Sequence, residues 1–79
     1  MTVEFYGQIR DLMGASLEFD LSRDGSTVAD VRHQLAKDHG CDALLASGIR
    51  AAVNDELVGE GARVTAQDSL VFMSPLSGG

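Results

Sequence analysis

The sequence predicts an α+β domain, a mixed sheet with one main helix packed across one face, and three observations carry that reading. Strand-like alternation opens the chain, with Val3 and Phe5 on one side and Thr2, Glu4 and Tyr6 on the other. A helical stripe occupies the middle, where Val28, Val31 and Leu35 fall at i, i+3 and i+7. Near the end comes the almost unbroken apolar run Leu70-Val71-Phe72-Met73, of the kind that lies inside a sheet rather than at its edge.

Each element follows from local chemistry. Gly7 lets the first strand end, and the stretch from Gln8 to Ser16, broken by Gly14, reads as a connection. A second strand then alternates Leu17, Phe19 and Leu21 against Glu18, Asp20 and Ser22, so the two strands are expected to form a hairpin. The polar run from Ser22 to Ser26 ends it. Thr27-Val28-Ala29-Asp30 is a capping box with Asp in the usual Glu position, and Arg32 and Ala36 flank the helical stripe it opens. Gly40 supplies a left-handed stop. A short second helix is expected from an Asp42 cap through Ala46, ending at Gly48. Arg50 to Val53 reads as a strand, Asn54-Asp55 as a turn and Leu57-Val58 as the return, closed by Gly59-Glu60-Gly61. Val64 stands too isolated to assign.

Composition narrows the function. With 79 residues the chain has room for one domain. Leu, Ile, Val and Phe together clear the level of about 20% below which chains tend to stay disordered. A domain this small buries only about 60% of its unfolded surface, which leaves little room for an enclosed catalytic pocket. A net charge of −6 has the wrong sign for gripping a phosphate backbone, so no nucleic-acid partner is expected. The acidic surface suits either a basic partner face or ordinary solubility. Cys41 is the single cysteine, which excludes an internal disulfide and a cysteine-based metal site and fits a reducing compartment. No apolar run approaches the ~20 residues of a membrane span. The start, Met1-Thr2-Val3-Glu4-Phe5, lacks the basic and apolar regions of a signal peptide, so the expected location is the cytoplasm.

The final residues, Ser74-Pro75-Leu76-Ser77-Gly78-Gly79, carry the main functional signal. Pro75 has no N–H with which to continue a ladder, so the chain must leave the sheet there. Gly78 and Gly79 lack Cβ atoms, and the segment they end is slim enough to thread a channel too narrow for side chains. Frayed ends and cloning remnants also produce terminal glycines.

Three segments resemble the small subunit of molybdopterin synthase, a sulfur carrier of the ubiquitin-like β-grasp family. They are Phe5-Tyr6-Gly7-Gln8-Ile9-Arg10-Asp11-Leu12, Ala51-Ala52-Val53-Asn54 with Leu57-Val58, and Asp68 through Gly79. In this chain Ser74-Pro75 stands where that family carries a double proline, Leu76 stands for its usual Val, and Gln67-Asp68-Ser69-Leu70 for its G-D-E-V. The resemblance implies a β-grasp domain over residues 1–73 and a flexible Gly-Gly tail over 74–79. It also implies that an adenylyltransferase similar to ubiquitin-activating enzymes uses ATP to convert the Gly79 carboxylate to an acyl adenylate, which a sulfur donor turns into a thiocarboxylate. The tail residues Pro75, Leu76, Ser77, Gly78 and Gly79 would enter the large subunit of the synthase. There the sulfur reaches the pterin precursor, within a complex that the family forms as a two-plus-two heterotetramer. The chain is then a co-substrate, with the active site on the large subunit and no stably bound cofactor or metal of its own.

Strand parity adds a docking face. In the β-grasp arrangement the first and last strands are neighbours, so Tyr6, Val71 and Met73 should share the surface away from the helix, with Leu57 a fourth member. The alternative is a second small core under a loop. His33 is expected in solvent and His39 on the buried side of the helix end. Cys41 reads as helix-entry packing after Gly40 rather than a persulfide site, and Gly59 and Gly61 as turn residues without a phosphate-loop pattern. Three other readings stay open: a thiamine-pathway sulfur carrier, a ubiquitin-like modifier joined to lysines through Gly79, and a β-grasp interaction module with an inert tail.

Overall fold

The computed structural model describes residues 1–21 and 26–75. Five strands form the main sheet in the order β2-β1-β7-β4-β5: β1 (Thr2–Tyr6), β2 (Ser16–Glu18), β4 (Arg50–Val53), β5 (Glu56–Val58) and β7 (Ser69–Met73). β1 and β7 run parallel, and every other neighbouring pair is antiparallel, so the sheet is mixed. Its centre is β7, as its continuous apolar sequence predicts. A two-stranded ladder of β3 (Ser26–Thr27) and β6 (Arg63–Val64) lies apart from the main sheet. The helices are α1 (Gln8–Met13) and α2 (Val28–His39), followed by a 3₁₀ turn at Asp42–Leu45.

Helix α2 packs its predicted stripe on the sheet. Val28, Val31 and Leu35 are buried against Val3, Phe5, Leu70 and Phe72, whose strand parity turns them toward the helix. Phe5 and Phe72 sit opposite each other in the parallel register, and their rings stack with centroids 6.1 Å apart. Burying each such side chain stabilises the fold by roughly 1.5–3 kcal/mol. The helix begins as its sequence dictates. Thr27 accepts the Asp30 N–H through its hydroxyl, and the Asp30 carboxylate accepts the Thr27 N–H. It ends at Gly40, left-handed at φ 60°, where the Cys41 N–H reaches back to the Ala36 carbonyl at 2.9 Å.

Arg32, expected at the edge of the stripe, is only 5% exposed. Its guanidinium stands 5.1 Å from the Phe72 ring centroid, donates to the Leu44 carbonyl at 3.0 Å and to the Glu60 carboxylate at 2.7 Å. One charged side chain thereby ties α2, the 3₁₀ turn and the loop after β5 together over the core. The two terminal nitrogens of the guanidinium meet acceptors, which lets the charge be held in the interior, while its buried Nε–H has no hydrogen-bond partner among the described residues.

Several expectations change. The Gln8–Ser16 connection contains α1, so β1 and β2 are antiparallel neighbours without a tight hairpin turn. The second strand stops at Glu18 rather than Leu21. Phe19 still exchanges hydrogen bonds with Met1, but the ladder with β1 ends at the Thr2–Glu18 pair and does not extend to Asp20 or Leu21. Phe19 and Leu21 nonetheless pack on the core. The second helix is a 3₁₀ turn capped at Cys41 rather than at Asp42, and no side chain caps it. Val64 is fully buried and joins β6. His39 is exposed, on the rim of an open groove between the β2 segment and the last turns of α2. The polar run predicted at 22–25 lies outside the described residues.

The turn between β4 and β5 holds Asn54 and Asp55 at positive φ, the pairing that a tight two-residue hairpin demands. Asn54 also fixes the start of β7: its amide donates to Asp68 at 2.9 Å and its carbonyl accepts the Ser69 N–H at 3.0 Å. The Asn54 bond, with a further bond from the Thr65 N–H, holds the Asp68 carboxyl below its ordinary pKa.

Candidate functional site at the root of the tail

Strand β7 ends at Met73, and the next two residues are held in place. The Ser74 N–H donates to the Tyr6 carbonyl at 3.0 Å, extending the parallel pairing by one bond. Its hydroxyl oxygen accepts the Ile9 N–H at 2.7 Å. Ile9 lies in the first turn of α1, where backbone N–H groups have no partner inside the helix. Ser74 therefore caps a helix from 65 positions away. No residue beside α1 performs this task, since Gly7 occupies the cap position without a side chain.

Gly7 explains how the two ends come so close. It sits at φ 79° and ψ −153°, a region essentially reserved for glycine. A Cβ there would stand 3.0 Å from the Ser74 Cβ and 3.2 Å from the Ser74 carbonyl oxygen. On the other side, the Pro75 ring rests against Gly48, where a Cβ would meet the Pro75 Cγ at 3.3 Å. The last described residues of the chain are thus gripped between the β1–α1 junction and the loop before β4. Replacing Ser74 by Ala should lower stability by about 1 kcal/mol and speed hydrogen exchange of the Ile9 amide several-fold, read by NMR. An Ile9 amide as protected as in the parent would show that the hydroxyl is not its partner.

The outer face of the sheet carries the predicted docking residues. Tyr6 and Met73 are register partners, and Val71 pairs with Ala52, which pairs in turn with Leu57. Tyr6 is 47% exposed and Leu57 61%, while Val71 and Met73 are half-buried. Strand register brings the four onto one face of the sheet. Ala52, absent from the sequence-based set, links Leu57 to the rest. Glu4, beside Val71, and Arg50, beside Met73, add charge at the margin. The Tyr6 hydroxyl donates to the Glu4 carboxylate at 3.0 Å. That bond, reinforced by the negative charge, raises the phenol above its ordinary pKa and keeps it neutral. Leu76, Ser77, Gly78 and Gly79 lie outside the described residues.

Among the described residues no group of three or more His, Cys, Asp or Glu side chains could hold a metal ion, and no helix is long and apolar enough to cross a membrane. His33 is exposed and its Nδ1 lies 2.7 Å from the Ala29 carbonyl one turn back.

A family model for ThiS proteins matches residues 3–79, nearly the whole chain and through both terminal glycines. The chain belongs to the ThiS family. Its members are small ubiquitin-like sulfur carriers that act with partner proteins. No curated protein sequence matches it. Among solved structures, this ThiS-family chain is similar to small archaeal modifier protein 1 of Haloferax volcanii, in two crystal structures. One is 18% identical with 95% of each chain covered, the other 23% identical with 99% and 97% covered, and both have a TM-score of 0.79. It is also similar to a Pyrococcus furiosus protein provisionally described as molybdopterin converting factor, subunit 1, at 20% identity, 95% coverage of each chain and a TM-score of 0.77. These likenesses establish the β-grasp fold.

Proposed function

We propose that the chain is the sulfur carrier subunit of a molybdopterin synthase, with Gly79 as the group that is loaded. The observation that carries this reading is the held root at Ser74 and Pro75, which sits at the end of the central strand and beside the exposed patch of Tyr6, Val71, Met73 and Leu57. A rigid body that ends in a slim Gly-Gly segment next to an apolar docking face delivers its last atoms to a partner. The family model supports it by extending through Gly79.

The chemistry follows from the carboxylate. With a pKa near 3.5 it is ionised at neutral pH and its carbonyl is a poor electrophile. Attack of a carboxylate oxygen on the α-phosphorus of ATP, in the adenylyltransferase, releases pyrophosphate and leaves an acyl adenylate. Hydrosulfide, the simplest sulfur donor, then attacks the acyl carbon, AMP departs with one former carboxylate oxygen, the S–H proton is lost to solvent, and one oxygen of Gly79 has been exchanged for sulfur. The thiocarboxylate is a nucleophile that the large subunit directs at the pterin precursor, and two carriers in turn supply the two sulfurs of the dithiolene. The residues of this chain orient and present; they transfer no protons.

The test incubates the purified chain with a ubiquitin-activating-like adenylyltransferase, ATP and a sulfur donor, followed by intact mass. The expected product has sulfur in place of one terminal oxygen, and a mixture with the large subunit and pterin precursor consumes it. Consumption by a thiazole synthase instead would assign the chain to thiamine synthesis, and amide linkage to lysines would make it a modifier. Failure to load with every such enzyme would leave an interaction module.

A further inference from the structure

The root of the tail has a second apolar side. Between α1 and the 3₁₀ turn lies an open groove of about 350 Å³. Its floor is formed by Ile9 and Ile49, which belong to the core, and its walls by Leu12, Ala43 and Ala46, all exposed; Pro75 closes one end. Leu12 is 65% exposed, the highest value among the large apolar side chains described as exposed. The groove belongs to the core side of the molecule, whereas Tyr6, Val71, Met73 and Leu57 lie on the outer face of the sheet.

We infer that this groove receives an apolar side chain from the rim of the adenylating enzyme's active-site channel. The inference rests on the function proposed above and extends it. With Gly79 as the loaded group, its carboxylate lies four residues past Pro75, and at 3.3–3.6 Å per residue that distance is at most about 14 Å. An enzyme that brings the Gly79 carboxylate to its bound nucleotide must therefore press the mouth of its channel against the collar around Pro75. That collar does not swing freely, because Ser74 is bonded to Tyr6 and Ile9 and Pro75 rests on Gly48. The mouth meets an apolar surface on both sides of the tail: the sheet face on one and the groove with Leu12 on the other. Later acceptors differ between a cofactor-forming carrier and a protein modifier, but adenylation precedes them all. The activating enzyme is the partner that every loaded form of the chain has to meet.

Leu12→Asn is the deciding variant, since at its exposure the change leaves the core intact, and Ala43→Gln blocks the opposite wall. Each is compared with the parent in AMP formation by a purified ubiquitin-activating-like adenylyltransferase, with His33→Gln on the outer face of α2 as control. The expected result is an approximately tenfold higher KM for the carrier with Leu12→Asn, equivalent to about 1.4 kcal/mol, kcat within twofold and an unaltered control. An unchanged KM while the parent turns over would overturn the groove assignment and leave the carrier function standing. No turnover of the parent would overturn the function itself. Two other outcomes reassign the groove. A Leu12-dependent dimer in sedimentation would give it to a second copy, and a Leu76-to-Leu12 NOE in the free carrier to the chain's own tail.

Discussion

A chain lengthened by one residue after Gly79 is expected to remain folded and to lose sulfur loading by more than about a hundredfold. The added residue converts the Gly79 carboxylate to an amide and moves the new carboxylate outward by roughly 3.3–3.6 Å. Adenylation needs the attacking oxygen within about 3–3.5 Å of the phosphorus, and even a 1 Å misplacement can cost about a hundredfold in rate. The body cannot compensate by sliding back, because its root is fastened through two hydrogen bonds of Ser74 and by the packing of Pro75 on Gly48. Thermal unfolding should be the same as in the parent, since the core is built from residues between Val3 and Phe72. Intact mass after incubation with enzyme, ATP and sulfur donor reads the result. An extended chain that loads at the parent rate, with its extra residue still attached, would show that Gly79 is not the working end.

Much of the architecture could be read from residues whose structure is decided by near neighbours. The Thr27–Asp30 box, the Val28, Val31 and Leu35 stripe and the Gly40 stop are interactions spanning a few positions, and each appears as expected. The placement of β7 inside the sheet follows from an apolar run that would be intolerable at an edge. What escaped depends on partners far along the chain. Helix α1 carries Ile9, Leu12 and Met13 at helical spacing, but six residues cannot sustain a helix alone, and the hydroxyl that caps it belongs to Ser74. The ladder of β3 with β6 pairs two residues with two others 36 or 38 positions away in sequence, too short to leave a periodicity. The end of β2 is set by its partner β1, whose ladder with it ends at the Thr2–Glu18 pair. Arg32 is another case: its place beside an apolar stripe predicts an edge position, and only Leu44, Glu60 and Phe72 together make its burial possible.

The same distinction holds at the site. Tyr6, Val71, Met73 and Leu57 could be assigned to one face because strand parity is a two-residue rule, given that β1 and β7 are neighbours. The anchoring of the tail could not, because Ser74 differs from an ordinary tail residue only through contacts with Tyr6, Gly7 and Ile9. The sequence-based division between body and tail at 73 and 74 falls on the residue that fastens one to the other.

That fastening makes Gly7→Ala the substitution with the largest expected effect on stability. Two costs add. Alanine at φ 79° and ψ −153° is strained by about 1–3 kcal/mol. The new methyl also meets the Ser74 Cβ at 3.0 Å and its carbonyl oxygen at 3.2 Å, and forcing such an overlap in a packed region costs about 1–3 kcal/mol more. A domain of 79 residues has roughly 4–12 kcal/mol of stability to lose. Gly14 separates the two costs. It has a similar backbone, φ 89° and ψ 176°, but a Cβ there meets nothing within 4 Å. Gly14→Ala should therefore carry the strain alone, and Gly7→Ala should unfold at a lower temperature than it by about 4–8 °C for each kcal/mol of overlap. The displacement of Ser74 should also free the Ile9 amide to exchange in Gly7→Ala, while Gly14→Ala leaves that amide protected. Equal melting temperatures and equal Ile9 protection in the two variants would mean that Ser74 yields without cost, and that the direction in which the tail leaves the body is not held by the end of β1.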